Sequence, residues 1–257
     1  MKKLIILLVS IAFCALIIGV WASQRHDAFD TAPVEIPPSK TPIVIELFTS
    51  QGCVSCPPAD RLLATLVTKD NVYALSCHVT YWDYNGWNDT LGLPVCNQRQ
   101  KGLGQTLGNG SRIYTPQMII NGHVELIGSS VDKVVNAISQ LQTSHSPIRY
   151  IDTSLKGAQI TLDMPDLGAT KPYNVTLFFI KKYVETPIGR GSNRDKTIEY
   201  VQNVRAVEDA GTWGGAYETR TVNIPPQISR SINFDEIIAV ARDGLYGQIR
   251  AVGRYTL

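Results

Sequence analysis

Histidine, methionine and surplus charge are what this chain has least of. It holds four His and three Met in 257 residues. Met1, Met118 and Met164 are scattered, so there is no Met-rich or His-rich tract of the kind that handles soft metal ions. Its 24 Lys+Arg stand against 22 Asp+Glu, a formal charge of +2. Two of those positives, Lys2 and Lys3, precede the first apolar run. The rest of the chain is formally neutral, which argues against a general nucleic-acid binder. No repeat and no low-complexity segment is present.

Long apolar runs are confined to the N-terminus. Met1-Lys2-Lys3 leads into Leu4 to Ala22, and Val20-Trp21-Ala22 offers a cleavage site. Residues 1–22 therefore read as a signal peptide or an N-terminal anchor, with inner-membrane anchoring through residues 4–22 as the second option. Phe13 is too bulky for the position before a lipid-bearing Cys14. Either reading places the bulk of the chain in the periplasm or the exterior. Residues 23–41 are polar, carry Pro33, Pro37 and Pro38, and read as a linker.

Cysteine is sparse but placed with purpose. Five are present, and beyond Cys14 the remaining ones are Cys53, Cys56, Cys77 and Cys96. An even number in an exported chain suits disulfide chemistry. Cys53-Val54-Ser55-Cys56 follows the buried-strand run Ile43 to Phe48 and precedes a helix-like run with Pro57 and Pro58 in its first turn. A CxxC at a strand-to-helix turn reads as a thioredoxin-type redox pair. The helix start favours a thiolate at Cys53. Val54 and Ser55 add no positive charge, so only mild acidification is expected.

From Thr41 to Leu141 the pattern predicts βαβαββα: strands at 43–48 and 72–79, helices at 59–68, 95–107 and 131–141, and a hairpin at 117–121 and 124–127 turned by Asn121-Gly122. After a polar break at 143–147, strands are predicted at 148–155, 158–164, 173–183, 197–207, 217–224, 237–242 and 248–255. The fold class is thus an α/β thioredoxin-like domain (42–145) followed by an all-β sandwich-like domain (146–257).

In such a core the ends of the first two strands and the start of the third share one sheet edge. That brings together Cys53 to Cys56, His78 to Trp87, and Tyr114-Thr115-Pro116. Thr115-Pro116 is predicted to be cis, with Thr115, Pro116 and Trp82 receiving substrate.

The run from Val44 to Asp60 resembles the DUF1223 family of exported bacterial thioredoxin-like proteins. So do His78-Val79-Thr80-Tyr81-Trp82-Asp83-Tyr84, Gly86-Trp87, Arg99-Gln100 and Tyr114-Thr115-Pro116-Gln117-Met118. Asn193-Arg194 and the later strands are similar to that family's second half, less specifically. The resemblance implies a thioredoxin-like domain followed by a β-domain, and no substrate. Cys77 and Cys96 stand where that pattern has aromatics, which suggests an added disulfide; two buried thiols are the alternative.

The leading expectation is an exported thiol–disulfide oxidoreductase acting on protein or small-molecule thiols and disulfides. Cys53 attacks and Cys56 resolves. Glu46 either takes the proton from Cys56 or is tied to a neighbouring arginine or backbone group. No cofactor, resident metal or nucleic acid is required. Tyr81, Trp82, Tyr84 and Trp87 form either a substrate rim or a small satellite core, and Asp83 a loop hydrogen bond. His78 is either a thiolate-tuning or metal-binding group or a satisfied structural residue. The alternatives are a copper-handling protein using His78 or His123 with the two sulfurs, and a binding module whose CxxC is a fixed staple.

Overall fold

A computed structural model describes residues 34, 36–108, 110, 112–143, 147–168 and 171–257. The expected signal or anchor at 1–22, and the linker up to residue 33, lie outside the described residues. The linker's end is not a free tether. Ile36 is buried, and Val34 packs beside it against the first strand's core.

The first half follows the apolar pattern. β1 (Ile43–Thr49) is buried along its whole length. α1 (Pro57–Leu66) begins on two prolines, whose missing N–H groups cost nothing in a first turn. β2 (Val72–His78) is also fully buried and lies parallel to β1. A single 3₁₀ turn (Asp83–Asn85) leads into α2 (Pro94–Thr106). β3 (Gln117–Ile120) and β4 (Val124–Ile127) form the expected hairpin. Asn121 and Gly122 both have positive φ (53° and 75°) and, with His123, form the three-residue loop between the paired Ile120 and Val124. α3 (Val131–Gln142) closes this part.

The second half supplies β5 (Arg149–Tyr150), β6 (Asp152–Lys156), β7 (Gln159–Met164), β8 (Tyr173–Pro187) and β9 (Thr197–Trp213). β10 (Glu218–Asn223), a four-residue helix α4 (Pro226–Ser229), β11 (Glu236–Asp243) and β12 (Ile249–Thr256) follow. Every predicted strand region carries a strand, but the single strand expected at 148–155 is two, β5 and β6, which break at Ile151 and belong to different sheets. The assembly of the strands differs from the prediction. One nine-stranded mixed sheet runs β4-β3-β1-β2-β9-β8-β11-β12-β5, and only β10-β7-β6 form a second, antiparallel sheet. The latter packs over β8, β11 and β12, with Ile160, Leu162 and Met164 against Val175, Leu177, Phe179 and Ala239.

The sandwich-like domain expected at 146–257 is therefore not a self-contained pair of sheets. One of its layers continues the first half's sheet, and the described residues form one compact unit. The physical reason lies in β2. A fully buried strand cannot leave its backbone edge unpaired, and β9 covers that edge, meeting β2 in parallel at Ser76 and Asn203. Further ties cross the two halves. Ile249 donates its N–H to the Asn121 carbonyl at 3.0 Å, and Arg242 on β11 reaches Glu46 on β1.

Cys77 and Cys96 are joined as a disulfide between β2 and α2, in the core shared by both halves. The bond closes a loop with a sequence separation of 19. Replacing both cysteines by alanine is expected to cost about 3 kcal/mol from chain entropy, more if a cavity remains. Urea unfolding of the double variant against the parent, both with Cys53–Cys56 oxidised, checks this.

Candidate functional site around the Cys53–Cys56 disulfide

After Thr49 the chain leaves the sheet edge in a tight turn. The N–H of Cys53 donates to the Ser50 carbonyl (3.1 Å), that of Gly52 to Ser50 Oγ (3.1 Å), and that of Gln51 to Asp89 Oδ2 (2.8 Å). Gly52 is required here, because a Cβ would lie 2.9 Å from Trp82 Cβ. Cys53 and Cys56 are joined as a disulfide across the mouth of α1. The Cys56 carbonyl accepts the N–H groups of Ala59 and Asp60, which starts the helix.

Val54 and Ser55, the two residues inside the ring, are exposed. Cys53, expected at the loop surface, is only 1% exposed, and Cys56 is fully buried. The β8–β9 hairpin is bonded to this loop. Asn193 at its turn donates through Nδ2 to the carbonyls of both Gln51 and Cys53, each at 2.9 Å.

The three segments predicted to converge do so. Thr115-Pro116 is cis, as expected. Trp82 Nε1–H donates to Thr115 Oγ1 at 2.8 Å and so joins the loop after β2 to the segment before β3. Gln100 holds that segment from below, donating to the Tyr114 carbonyl and to Gln117 Oε1. The expected aromatic rim divides. Trp82 stacks on the exposed Tyr84 with ring centroids 6.2 Å apart. Tyr81 packs against the core and donates its hydroxyl to Gln100 Oε1. Trp87 donates to Gln51 Oε1 and joins a satellite core with Leu91, Ile188, Ile198 and Tyr200. Asp83 accepts the Asp89 N–H, a loop hydrogen bond as expected.

Glu46 does not lie beneath the disulfide. Side chains alternate along β1. Ile45 and Leu47 face Ala59, Leu62 and Leu63 of α1, whereas Val44 and Phe48 pack on the opposite side with Cys77, Cys96 and Leu103. Glu46 belongs to that opposite face. Its carboxylate accepts Arg99 Nε at 2.5 Å and Arg242 Nη2 at 3.0 Å. Burial alone would raise its pKa, but the guanidinium groups of Arg242 and Arg99 outweigh that and hold it below the usual range. An ionised, doubly paired carboxylate is a poor proton acceptor, so the arginine-bound alternative is the one realised.

The acid on the disulfide's own face is Asp60. It sits one helical turn after Cys56 and is 4% exposed. Burial pushes its carboxyl up to about 7, against the opposing pull of His78. Its Oδ2 has no hydrogen-bond partner among the described residues; neither do His78 Nε2 and Tyr200 Oη, which are also buried. His78 and Tyr200 meet edge to face, centroids 4.6 Å apart. His78 Nδ1 lies 2.9 Å from Asp89 Oδ2. Asp89 also accepts two backbone N–H groups. Its burial is outweighed by His78 and these bonds, so its carboxyl stays below the ordinary range. Buried polar groups from α1, β2, β9 and one loop (Asp60, His78, Tyr200 and Asp89) therefore cluster near the start of the helix that carries Cys56 at its mouth.

Asp60 was hidden by its position. An acid in a helix's first turn reads as a dipole partner in water. The missed signal was spacing, since Asp60 precedes Leu63 by three residues, on the stripe that meets the sheet.

Neither histidine is brought to the sulfurs by its contacts. His78 is engaged by Asp89, and His123 Nδ1 lies 3.3 Å from the Asn121 carbonyl. Among the described residues no group of three or more His, Cys, Asp or Glu is arranged to hold a metal. No described helix is long and apolar enough to cross a membrane. Two disulfides suit an oxidising compartment outside the cytoplasm.

Fold and site define a mixed α/β protein with a CxxC disulfide at a strand–helix junction. Within that class the chain belongs to the DUF1223 family, described as a protein family of unknown function, whose model matches residues 44–241. It is similar to a crystal structure of a protein from Agrobacterium tumefaciens, at 28% identity and TM-score 0.69, covering 84% of this chain and 93% of that one. It also shares its fold with HBP35 of Porphyromonas gingivalis, at 16% identity and TM-score 0.57, over 86% of this chain and 76% of that one. No functionally curated protein matches it significantly.

Proposed function

We propose that this protein is an exported thiol–disulfide oxidoreductase whose working group is the Cys53–Cys56 pair. The segment 42–145 is a thioredoxin-like unit whose sheet 146–257 extends; 1–22 is the export signal or anchor, and 23–41 the linker. The supporting observation is Asp60. A structural disulfide needs no neighbouring proton store, whereas a cycling one releases a thiolate at every turn and must supply it with a proton.

In the oxidising direction, a substrate thiolate attacks Cys53 Sγ. The Cys53–Cys56 bond breaks, and Cys56 leaves as a thiolate that takes a proton from Asp60. The substrate's second thiolate then attacks its own sulfur in the mixed disulfide and releases Cys53. The substrate loses two electrons as its disulfide forms, and the protein gains them as the Cys56 thiol and the Cys53 thiolate; Asp60, left as a carboxylate, is reprotonated from water. The reducing direction runs the same steps backwards. Thr115, Pro116 and Trp82 line the approach to Cys53.

Replacing Cys53 by serine is expected to abolish turnover on reduced or disulfide-bonded insulin. Equal turnover in variant and parent ends this reading. The burial of Cys53 favours a second one, a binding module with a fixed CxxC staple. A reduction potential below about −300 mV for Cys53–Cys56 supports the staple, and one near the surrounding thiol pool supports the oxidoreductase.

A further inference from the structure

Asn193 is fully buried, yet the turn that carries it is not. Of residues 188–196, only Ile188 and Asn193 are buried. The turn is closed on itself by backbone bonds: Ile188 N–H to the Lys196 carbonyl, Asp195 N–H to the Ile188 carbonyl, and Arg194 N–H to the Gly191 carbonyl. It is a pre-formed, mostly solvated loop anchored by one aliphatic and one amide side chain.

That amide is used in full. Its nitrogen serves the carbonyls of Gln51 and Cys53, and its Oδ1 accepts Lys196 Nζ at 3.0 Å. Beside it, Gly191 (φ +75°) lets the turn approach Trp87, where a Cβ would stand 3.1 Å from Trp87 Cβ. Trp87 in turn donates to Gln51 Oε1. Turn, tryptophan and CxxC loop thus interlock at a few polar contacts. Val54 and Ser55 stay open to solvent, while Cys53, whose carbonyl the turn holds, is 1% exposed.

We propose that the β8–β9 turn is a gate over Cys53, latched by Asn193, and that it must lift before a thiol reaches the sulfur. The proposal rests on the oxidoreductase reading for its purpose and on the hydrogen bonds for its mechanism. Lifting the turn frees two backbone carbonyls and uncovers Ile188 and the side of Trp87 on which the turn packs, and it leaves the sheets intact. Local opening of this kind is drawn from segments with few buried contacts. Asn193 is a positioning residue in this scheme, since it holds the loop and does not itself touch the reacting atoms.

The test is the rate at which a small phosphine, TCEP, reduces each disulfide of the full chain, followed by alkylation and peptide mass analysis. Asn193→Asp keeps the shape but sets a carboxylate against two carbonyls. It is expected to speed reduction of Cys53–Cys56 by roughly ten- to thirty-fold, the weight of two net hydrogen bonds. The buried Cys77–Cys96 bond serves as an internal control and should change less than two-fold. An unchanged Cys53–Cys56 rate, or equal acceleration of both bonds, overturns the gate. If Asn193→Asp does not fold, Lys196→Met loosens the same latch. Roughly three-fold acceleration confined to Cys53–Cys56 is then expected, and none overturns the proposal. Parent turnover on insulin is read separately. A parent that turns over with no acceleration in the variant removes the gate alone. An inert parent with a fast variant removes the oxidoreductase and leaves a gated bond.

Discussion

Replacing Glu46 by alanine is expected to destabilise the protein by roughly 4 kcal/mol, because two buried guanidinium groups lose the carboxylate between them. Arg242 is fully buried and Arg99 nearly so. Arg99 also lies over the Phe178 ring, 4.6 Å from its centroid. Desolvation and repulsion from Arg99 already lower the Arg242 pKa to about 10, with Glu46 opposing. Without Glu46 that burden is uncompensated. Urea midpoints at pH 7, at constant slope, measure the loss. Replacing the whole triad by Glu46→Leu, Arg99→Met and Arg242→Met should recover most of it, since a well-packed apolar trio often matches a buried ion network. A small loss in Glu46→Ala, or no recovery in the triple variant, contradicts this account. Glu46 has its own acid signature. Its folded pKa is depressed, so its contribution is full above the ordinary carboxylate range and fades as pH falls through the folded value.

Asp60→Asn is expected to act in the opposite sense on stability and to slow the chemistry. In the folded protein Asp60 keeps its proton up to about pH 7, whereas the unfolded chain releases it near 3.8. Between those values the native state binds more protons, so stability falls as pH rises through the window. That displacement corresponds to roughly 4 kcal/mol lost by pH 8. Asparagine, shaped like the protonated acid, should restore much of that at pH 8 and change little at pH 4. It should also slow Cys56 release roughly a hundred-fold and remove the pH-rate limb near 7. Unfolding titrations at pH 4 and 8, with a pH–rate profile, check both halves. A stabilised variant with unaltered kinetics would make Asp60 a structural burden only.

The two halves of the fold were legible to different degrees. Periodicity placed the strand regions and the three longer helices, since buried runs such as Val175 to Ile180 and the Asn121-Gly122 turn carry their signals locally, though it read β5 and β6 as one strand. What joins the halves is not local. Asn203 beside Ser76, and Arg242 on Glu46, pair residues far apart in sequence, and nothing in either segment announces its partner. The site shows the same division. The CxxC, the cis Thr115-Pro116 and the nearness of Trp82 to Thr115 follow from order along the chain. The choice between Glu46 and Asp60 depended on which face of β1 meets α1, and the bond that holds the Cys53 carbonyl comes from a hairpin turn 140 residues away.

The shared sheet sets an order of assembly as the chain is made. Arg242 comes 196 residues after its carboxylate partner, and only Arg99 is near enough to stand in before then. Until β9 arrives, β2 carries a bare flank of hydrogen-bonding groups. A truncated first half would keep the cysteines and lose that neighbour, so its redox behaviour would describe a sticky, half-paired species and not the native bond. Only the uncut polypeptide can report on this chemistry.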